Sequence, residues 1–218
     1  MRSPFLGVTH TSSLMLSCLA THAALLHFAG VSRTPSERKL SGVFQQNVVQ
    51  GSPLTMGLPA SVRVPHSRKN GVAREVLEAV GYDVLIGAGQ DVWTVATRQM
   101  SGCLIVALQG HPEYDAPTLL LEYRRDVQQF QLGRREDHPD IPVDYLDLAS
   151  VDLLARYRER CVAARRAGKP TAAFPYDDVM WRVTSPWKST ASVLYGNWVN
   201  EVCRRSELPP RRRGNRAR

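Results

Sequence analysis

The stretch Gln109-Gly110-His111-Pro112-Glu113-Tyr114-Asp115 constrains the fold more than any other, because of what flanks it. An apolar run, Cys103 to Leu108, leads in. An amphipathic segment, Asp115 to Phe130, leads out, with Leu119, Leu120, Tyr123, Val127 and Phe130 at helical spacing and Glu122, Arg124, Arg125 and Gln129 outside that stripe. The pattern is strand, turn, helix, with Asp115 placed to cap the helix and Pro117 in its first turn. In such a unit the turn sits at the carboxyl end of a strand, where open α/β sheets keep their ligands. His111 and Glu113 are two apart, so the carboxylate can hold one imidazole nitrogen and leave the other for proton transfer. The stretch lacks a nucleophile.

The best candidate lies far upstream, at Cys18. Leu14 to Ser17 reads as a short buried strand, and Ala20 to Ala29 as a helix stopped by Gly30. Cys18 therefore falls at a strand-to-helix turn, where backbone N–H groups favour a thiolate and can donate to a developing oxyanion, the amide of Leu19 first among them. From spacing alone Cys18 reads equally well as a small buried apolar residue. If its strand neighbours the strand that ends before His111, the two side chains converge, and Cys18, His111 and Glu113 form a nucleophile, base and orienting carboxylate.

Between these two stretches, Ser32 to Lys39 reads as a polar loop leading into strand-like sequence through Val49, and Gly51 to Pro59 as loop. Pro65-His66-Ser67-Arg68 follows an alternating segment and is placed at a strand end. Ala73 to Val80 looks helical, and Tyr82 to Ile86, Val92 to Thr97 and Cys103 to Leu108 are strand candidates. The near-continuous apolarity of the third predicts cover on both faces. The chain is irregular from Gly133 to Asp147. Val151 to Ala167 is a charged amphipathic helix, read as a surface insertion, and Ser192 to Arg205 is a helix docked by its aromatics.

Composition narrows the class. The 218 residues suffice for one domain with a real core. A net charge of +8 raises the question of nucleic acid, but Arg204, Arg205, Arg211, Arg212, Arg213, Arg216 and Arg218 crowd the end of the chain, so the excess reads as a disordered basic tail, residues 204–218, behind a single domain, 1–203. Nucleic acid is not an expected partner. The cysteines, Cys18, Cys103, Cys161 and Cys203, lack metal or disulfide spacing and fit a reducing compartment. The histidines His10, His22, His27, His66 and His138 form no metal site. No run is long enough for a membrane span, and the segment from Arg2 to Ala20 is a poor signal peptide, so the expected location is the cytoplasm.

A specific resemblance rests on segments found in order. They are Ser17-Cys18-Leu19-Ala20-Thr21-His22-Ala23-Ala24-Leu25, Arg38-Lys39-Leu40-Ser41-Gly42-Val43-Phe44, Pro65-His66-Ser67-Arg68, Gly110-His111-Pro112-Glu113-Tyr114-Asp115 with Glu122-Tyr123-Arg124-Arg125-Asp126, and the closing Leu194-Tyr195-Gly196-Asn197-Trp198-Val199-Asn200. Together they resemble the homoserine O-succinyltransferase family, some members of which use acetyl-CoA. The resemblance implies a three-layer α/β fold with a mostly parallel sheet, of the class I glutamine amidotransferase-like (flavodoxin-like) type. It also implies acyl transfer from succinyl-CoA or acetyl-CoA to the hydroxyl of L-homoserine, in methionine biosynthesis, with no cofactor beyond that co-substrate, and it is compatible with a homodimer. On the family pattern Cys18 forms the acyl-thioester, His111 is the general base and Glu113 its partner, while Lys39, Ser67 and Arg125 match substrate-contacting positions. Family members carry a segment upstream of the nucleophile, with strands of the sheet, so the domain is expected to be truncated at its N-terminus. Three other readings stay open: a serine O-acyltransferase, a cysteine hydrolase of the amidotransferase type, against which the glycine-poor surroundings of Cys18 argue, and an inactive remnant.

Overall fold

The computed structural model describes residues 11–207; His10 and the arginines from Arg211 onward lie outside the described residues. β1 (Ser13–Ser17) runs straight into α1 (Leu19–Ala29), which ends where Gly30, at φ 68°, turns left-handed and returns its N–H to Leu26. A long hairpin, β2 (Thr34–Val48) and β3 (Ser61–Gly71), is followed by α2 (Arg74–Ala79), β4 (Asp83–Ala88), β5 (Val92–Met100) and β6 (Cys103–Leu108). Four helices complete the chain: α3 (Thr118–Gln131), α4 (Leu148–Arg166), α5 (Tyr176–Met180) and α6 (Lys188–Ser206).

The described strands form one six-stranded sheet in the order β1-β6-β5-β4-β2-β3, with β1 at an edge. Its alternation builds two cores. Leu14, Leu16, Ile105, Ala107 and Trp93 face α1 and α2, meeting Leu25 and Leu77. On the other face Met15, Val106, Leu108, Val95 and Val64 meet Leu54 of a short 3-10 turn and Leu194 and Trp198 of α6. The result is the expected α/β arrangement of helix, sheet and helix layers, with β6 buried on both faces.

The expectation of a mostly parallel sheet needs correction within these residues. Only β1 and β6 pair in parallel; β6–β5, β5–β4, β4–β2 and β2–β3 are antiparallel. The cause is connection length, since the short links at Gly89-Gln90-Asp91 and Ser101-Gly102 can make only hairpins, whereas β1 reaches β6 through a long crossover. Two local expectations also change. Thr34 to Lys39 is strand rather than loop, and Pro65 to Arg68 lies within β3 rather than at its end.

The helix α4, expected as a surface insertion, buries Leu154, Tyr157 and Cys161 against Leu119, Leu120, Tyr123 and Val127 of α3, making a third core. Asp115 does not cap α3, whose N-cap is Pro117; its carboxylate pairs with Lys188 at 2.7 Å. Arg204 and Arg205 are not tail residues, because both belong to the last turn of α6 and clamp the buried carboxylate of Glu201. Trp187 joins the third core to the rest: it is fully buried, and its indole N–H donates to the Tyr114 carbonyl at 2.8 Å. Trp187→Ala should therefore cost about 3–5 kcal/mol in urea unfolding, and a loss below about 1 kcal/mol would show that this third core forms without it.

Candidate active site

β1 and β6 end side by side, with Ser17 opposite Leu108. One residue on, Cys18 adopts φ 48° and ψ −107°, a backbone state that costs a non-glycine residue on the order of 1–3 kcal/mol. Local hydrogen bonds hold it there. The Cys18 N–H donates to the Leu108 carbonyl at 2.8 Å, and the buried Thr21 hydroxyl reaches both the Leu16 and Leu108 carbonyls, at 2.7 and 2.9 Å. The sharp turn lifts the sulfur off the end of β1 onto the start of α1. Cys18 is partly exposed, whereas Cys103 and Cys161 are buried. The amide of Leu19 opens α1, where the first N–H groups lack partners within the helix.

The turn after β6 brings in His111. The His111 N–H donates to the Pro65 carbonyl at 2.7 Å, which fastens the turn to β3. Beneath it, Gly110 is packed so closely that a Cβ there would lie 2.5 Å from Thr94 Oγ1 and 2.9 Å from His66 Nε2. His111 Nδ1 donates to Glu113 Oε1 at 2.8 Å, and the same oxygen accepts from the Ser17 hydroxyl at 2.8 Å. Burial opposes charge on His111 and is the largest influence on it, but Cys18 and Glu113 together outweigh burial and raise its pKa to about 9. Nε2 is buried with no hydrogen-bond partner of ordinary geometry. Cys18 leads the groups that raise the ring's pKa, through hydrogen bonding first and charge second, which puts the thiol within reach of the imidazole. Burial alone would raise the Glu113 carboxyl, yet its hydrogen bonds, those from His111 and Ser17 among them, leave it below the usual carboxylate range. Tyr195 of α6 is pushed up, first by burial and then by this carboxylate.

A second polar cluster adjoins the first. Tyr114 stacks on His111 with ring centroids 4.2 Å apart and donates its hydroxyl to Glu122 at 2.9 Å. Glu122 also accepts from Ser67 and, at 3.3 Å, from Lys39, whose ammonium reaches Asp126 at 2.8 Å. Lys39 and Ser67 are thus brought together, on one carboxylate. Arg125 stands apart from it: its side chain is 61% exposed and touches Asp126 at 3.4 Å, although it lines the same recess of about 400 Å³ as Lys39, Ser67 and Glu122. The larger cleft, about 890 Å³, is lined by neither Cys18 nor His111. His66 is fully buried and neutral, its pKa driven to about 3 by burial, so it supports the turn rather than lining a pocket.

Thr21, Ser17, Tyr114 and Glu122 are the site residues that spacing did not single out. Glu122 and Asp126, four apart on one helix, carried a signal, since they present two acids to a single cation.

A cysteine at a sharp strand-to-helix turn meets, at the end of one parallel strand pair, a histidine and a carboxylate from the turn that follows the neighbouring strand, on an α/β scaffold. The chain belongs to the homoserine O-succinyltransferase family, whose model matches residues 6–208. It is 39% identical over 193 residues to the homoserine O-succinyltransferase of Rhodopseudomonas palustris and 38% identical over 194 residues to that of Thiothrix nivea. These alignments take in 87% and 88% of this chain but only 56% and 54% of the relatives, so the chain spans about half their length. Among solved structures, that of SMU.1228c aligns with a TM-score of 0.45 and 12% identity, over 86% of this chain and 62% of the other.

The packing around Gly110 makes the position of His111 testable. Gly110→Ala should force the turn away from Thr94 and His66 and slow alkylation of Cys18 by iodoacetamide roughly tenfold or more, followed by peptide mapping because Cys203 is also exposed. An unchanged rate would mean that Cys18 reacts independently of the imidazole.

Proposed function

We propose that the chain carries the acyl-transfer centre of a homoserine O-acyltransferase, moving an acyl group from acyl-CoA to the hydroxyl of L-homoserine through a thioester on Cys18, a step of methionine biosynthesis. The relatives' name points to succinyl as that group. The observation that carries this reading is the meeting of Cys18 and His111 at the end of the β1–β6 pair, with Glu113 on the far nitrogen of the imidazole.

The chemistry runs in two halves. Cys18, its proton already held by His111, attacks the thioester carbonyl, and the Leu19 amide donates to the oxyanion that forms. Collapse breaks the carbon–sulfur bond to CoA, whose thiolate takes the proton from His111. Homoserine then enters, neutral His111 removes its hydroxyl proton, and the alkoxide attacks the acyl group. Cys18 departs as thiolate beside the protonated His111. The exchange of one thioester for another costs little, so splitting the reaction lowers the barrier without a deep intermediate. Throughout, Glu113 fixes the ring and stabilises its charged form. Ser67 and Lys39 act at the acceptor side through Glu122, and the Arg125 guanidinium offers a two-point hold for the carboxylate of the amino acid.

Intact-mass spectrometry of the protein mixed with succinyl-CoA should show one added succinyl group, absent in Cys18→Ala and formed about 10²–10⁴ times more slowly in His111→Ala. An adduct that persists in Cys18→Ala, or glutamine hydrolysis in place of acyl-CoA turnover, would contradict the assignment.

A further inference from the structure

The chemistry above asks Glu113 to fix the imidazole but leaves open what fixes Glu113. Its side chain is 39% exposed, and a glutamate free to swing in solvent holds no ring in place. His111 and Ser17 both use Oε1, which leaves Oε2 to whatever stands on the other side of the carboxylate.

Two elements close on this group. The first is β1, whose alternation turns Leu14 and Leu16 toward α1, and Ser13, Met15 and Ser17 toward the face that α6 covers. Ser17 is thus a polar residue at an inward position of an apolar strand. Its hydroxyl, one residue ahead of the nucleophile, donates to Glu113 at 2.8 Å. The backbone of Ser17 is fixed by its place opposite Leu108, so the strand that delivers the sulfur also delivers this donor.

The second element is α6, which runs back along β1 and is pinned at both ends. At its start Trp187 donates to the Tyr114 carbonyl and Lys188 to Asp115, just past the turn that carries Glu113. Further on, Asn197 donates to the Leu54 and Met56 carbonyls at 3.0 and 2.8 Å, and the Trp198 indole donates to Ser13 Oγ at 3.0 Å. Lys188, Tyr195 and Trp198 share one helical face. Tyr195 is therefore suspended between the His111 turn and the start of β1, with its hydroxyl against the Glu113 carboxylate. Burial and that carboxylate both favour the protonated phenol, so the hydroxyl is a donor. The other titratable neighbours of Glu113 are His111 and Tyr114, on its own turn, with Cys18 across the imidazole.

We propose that Ser17 and Tyr195 are positioning residues, two hydroxyls that close on Glu113 from β1 and from α6 and keep its carboxylate in line with His111 Nδ1. Each donates to the charged carboxylate and so favours it over the neutral acid. A carboxylate held charged and aligned keeps Nδ1 occupied and Nε2 available to the sulfur. This role rests on the acyl-transfer reading of the site and adds to it two side chains that never touch the substrate.

In the full chain, NMR of the Glu113 carboxyl carbon should show a group that titrates higher in Ser17→Ala and in Tyr195→Phe than in the wild type, and higher again in the double variant. Alkylation of Cys18 by iodoacetamide, followed by peptide mapping, should slow roughly threefold or more in each and about tenfold or more in both together. Ser17→Thr keeps the hydroxyl and suits a strand, and it should restore both properties. Tyr195→Phe keeps the ring and with it the packing of α6. A Glu113 titration that neither substitution moves, or Ser17→Thr as slow as Ser17→Ala, would overturn the proposal. The predicted shifts in a protein that takes no succinyl group from succinyl-CoA would uphold the two hydroxyls and reject acyl transfer. A succinyl adduct formed at the wild-type rate in the double variant would do the reverse.

Discussion

The parallel pairing of β1 with β6 is the constraint on which the rest depends. Its register sets Ser17 beside Leu108, and the ladder continues one bond further, through the Cys18 N–H, into the turn itself. Parallel neighbours cannot be joined by a tight turn, so a long stretch of chain, including the strands β2 to β5, lies between the sulfur and the imidazole. That excursion also supplies parts. The Pro65 carbonyl of β3 anchors His111, and Thr94 of β5 with His66 of β3 forms the floor under Gly110. Thr21 closes the arrangement from the other side by tying α1 to the same Leu108 that Cys18 uses.

Two carboxylates near the imidazole are separated by what surrounds them. Glu113 is held by His111 and Ser17 and serves the ring directly. Glu122 is held by Ser67, Lys39 and Tyr114, and its influence on the ring passes through the stacked tyrosine. For both acids burial pushes toward the protonated form and hydrogen bonds win, so both are held as carboxylates below the usual range. Were either set of donors removed, the same burial would turn against the charge.

Much of this was legible in the sequence, and the reasons are physical. The segment from Cys103 to Phe130 announces itself because a doubly buried strand must be apolar throughout and α3 must show a stripe. Cys18 could be placed at its turn because a short apolar strand runs directly into a helix with a glycine stop. The amino-terminal half of β2 was not legible: Thr34 to Arg38 are exposed, and an exposed strand carries no apolar signal. The middle of β3 failed for the opposite reason. His66 and Arg68 are buried polar residues whose partners, Gln46, Thr94 and the Asp91 carbonyl, come from distant parts of the chain, so local reading saw only a polar cluster. Arg204 and Arg205 were swept into a basic run because Glu201, which holds them three and four residues back, is invisible to a count of charge. Lys39 and Arg125 were promoted from surface charges by family resemblance alone; the structure gives Lys39 a tied position between two acids and leaves Arg125 largely in solvent.

The central claim is that the sulfur of Cys18 and the ring of His111 act as one unit, and the most direct measurement is an NMR titration of the His111 imidazole in the wild-type protein and in Cys18→Ala. Burial lowers the pKa of this ring, and Cys18 is first among the influences that raise it to about 9. With a folded value above the unfolded one, the pairing contributes stability that is fully present below about pH 6.5 and lost as the pH rises through about 9. The account predicts a ring that stays protonated past neutrality in the wild type and a clear fall in its pKa when the thiol is removed. A wild-type ring that titrates below the ordinary histidine value, or one indifferent to the loss of Cys18, would contradict it.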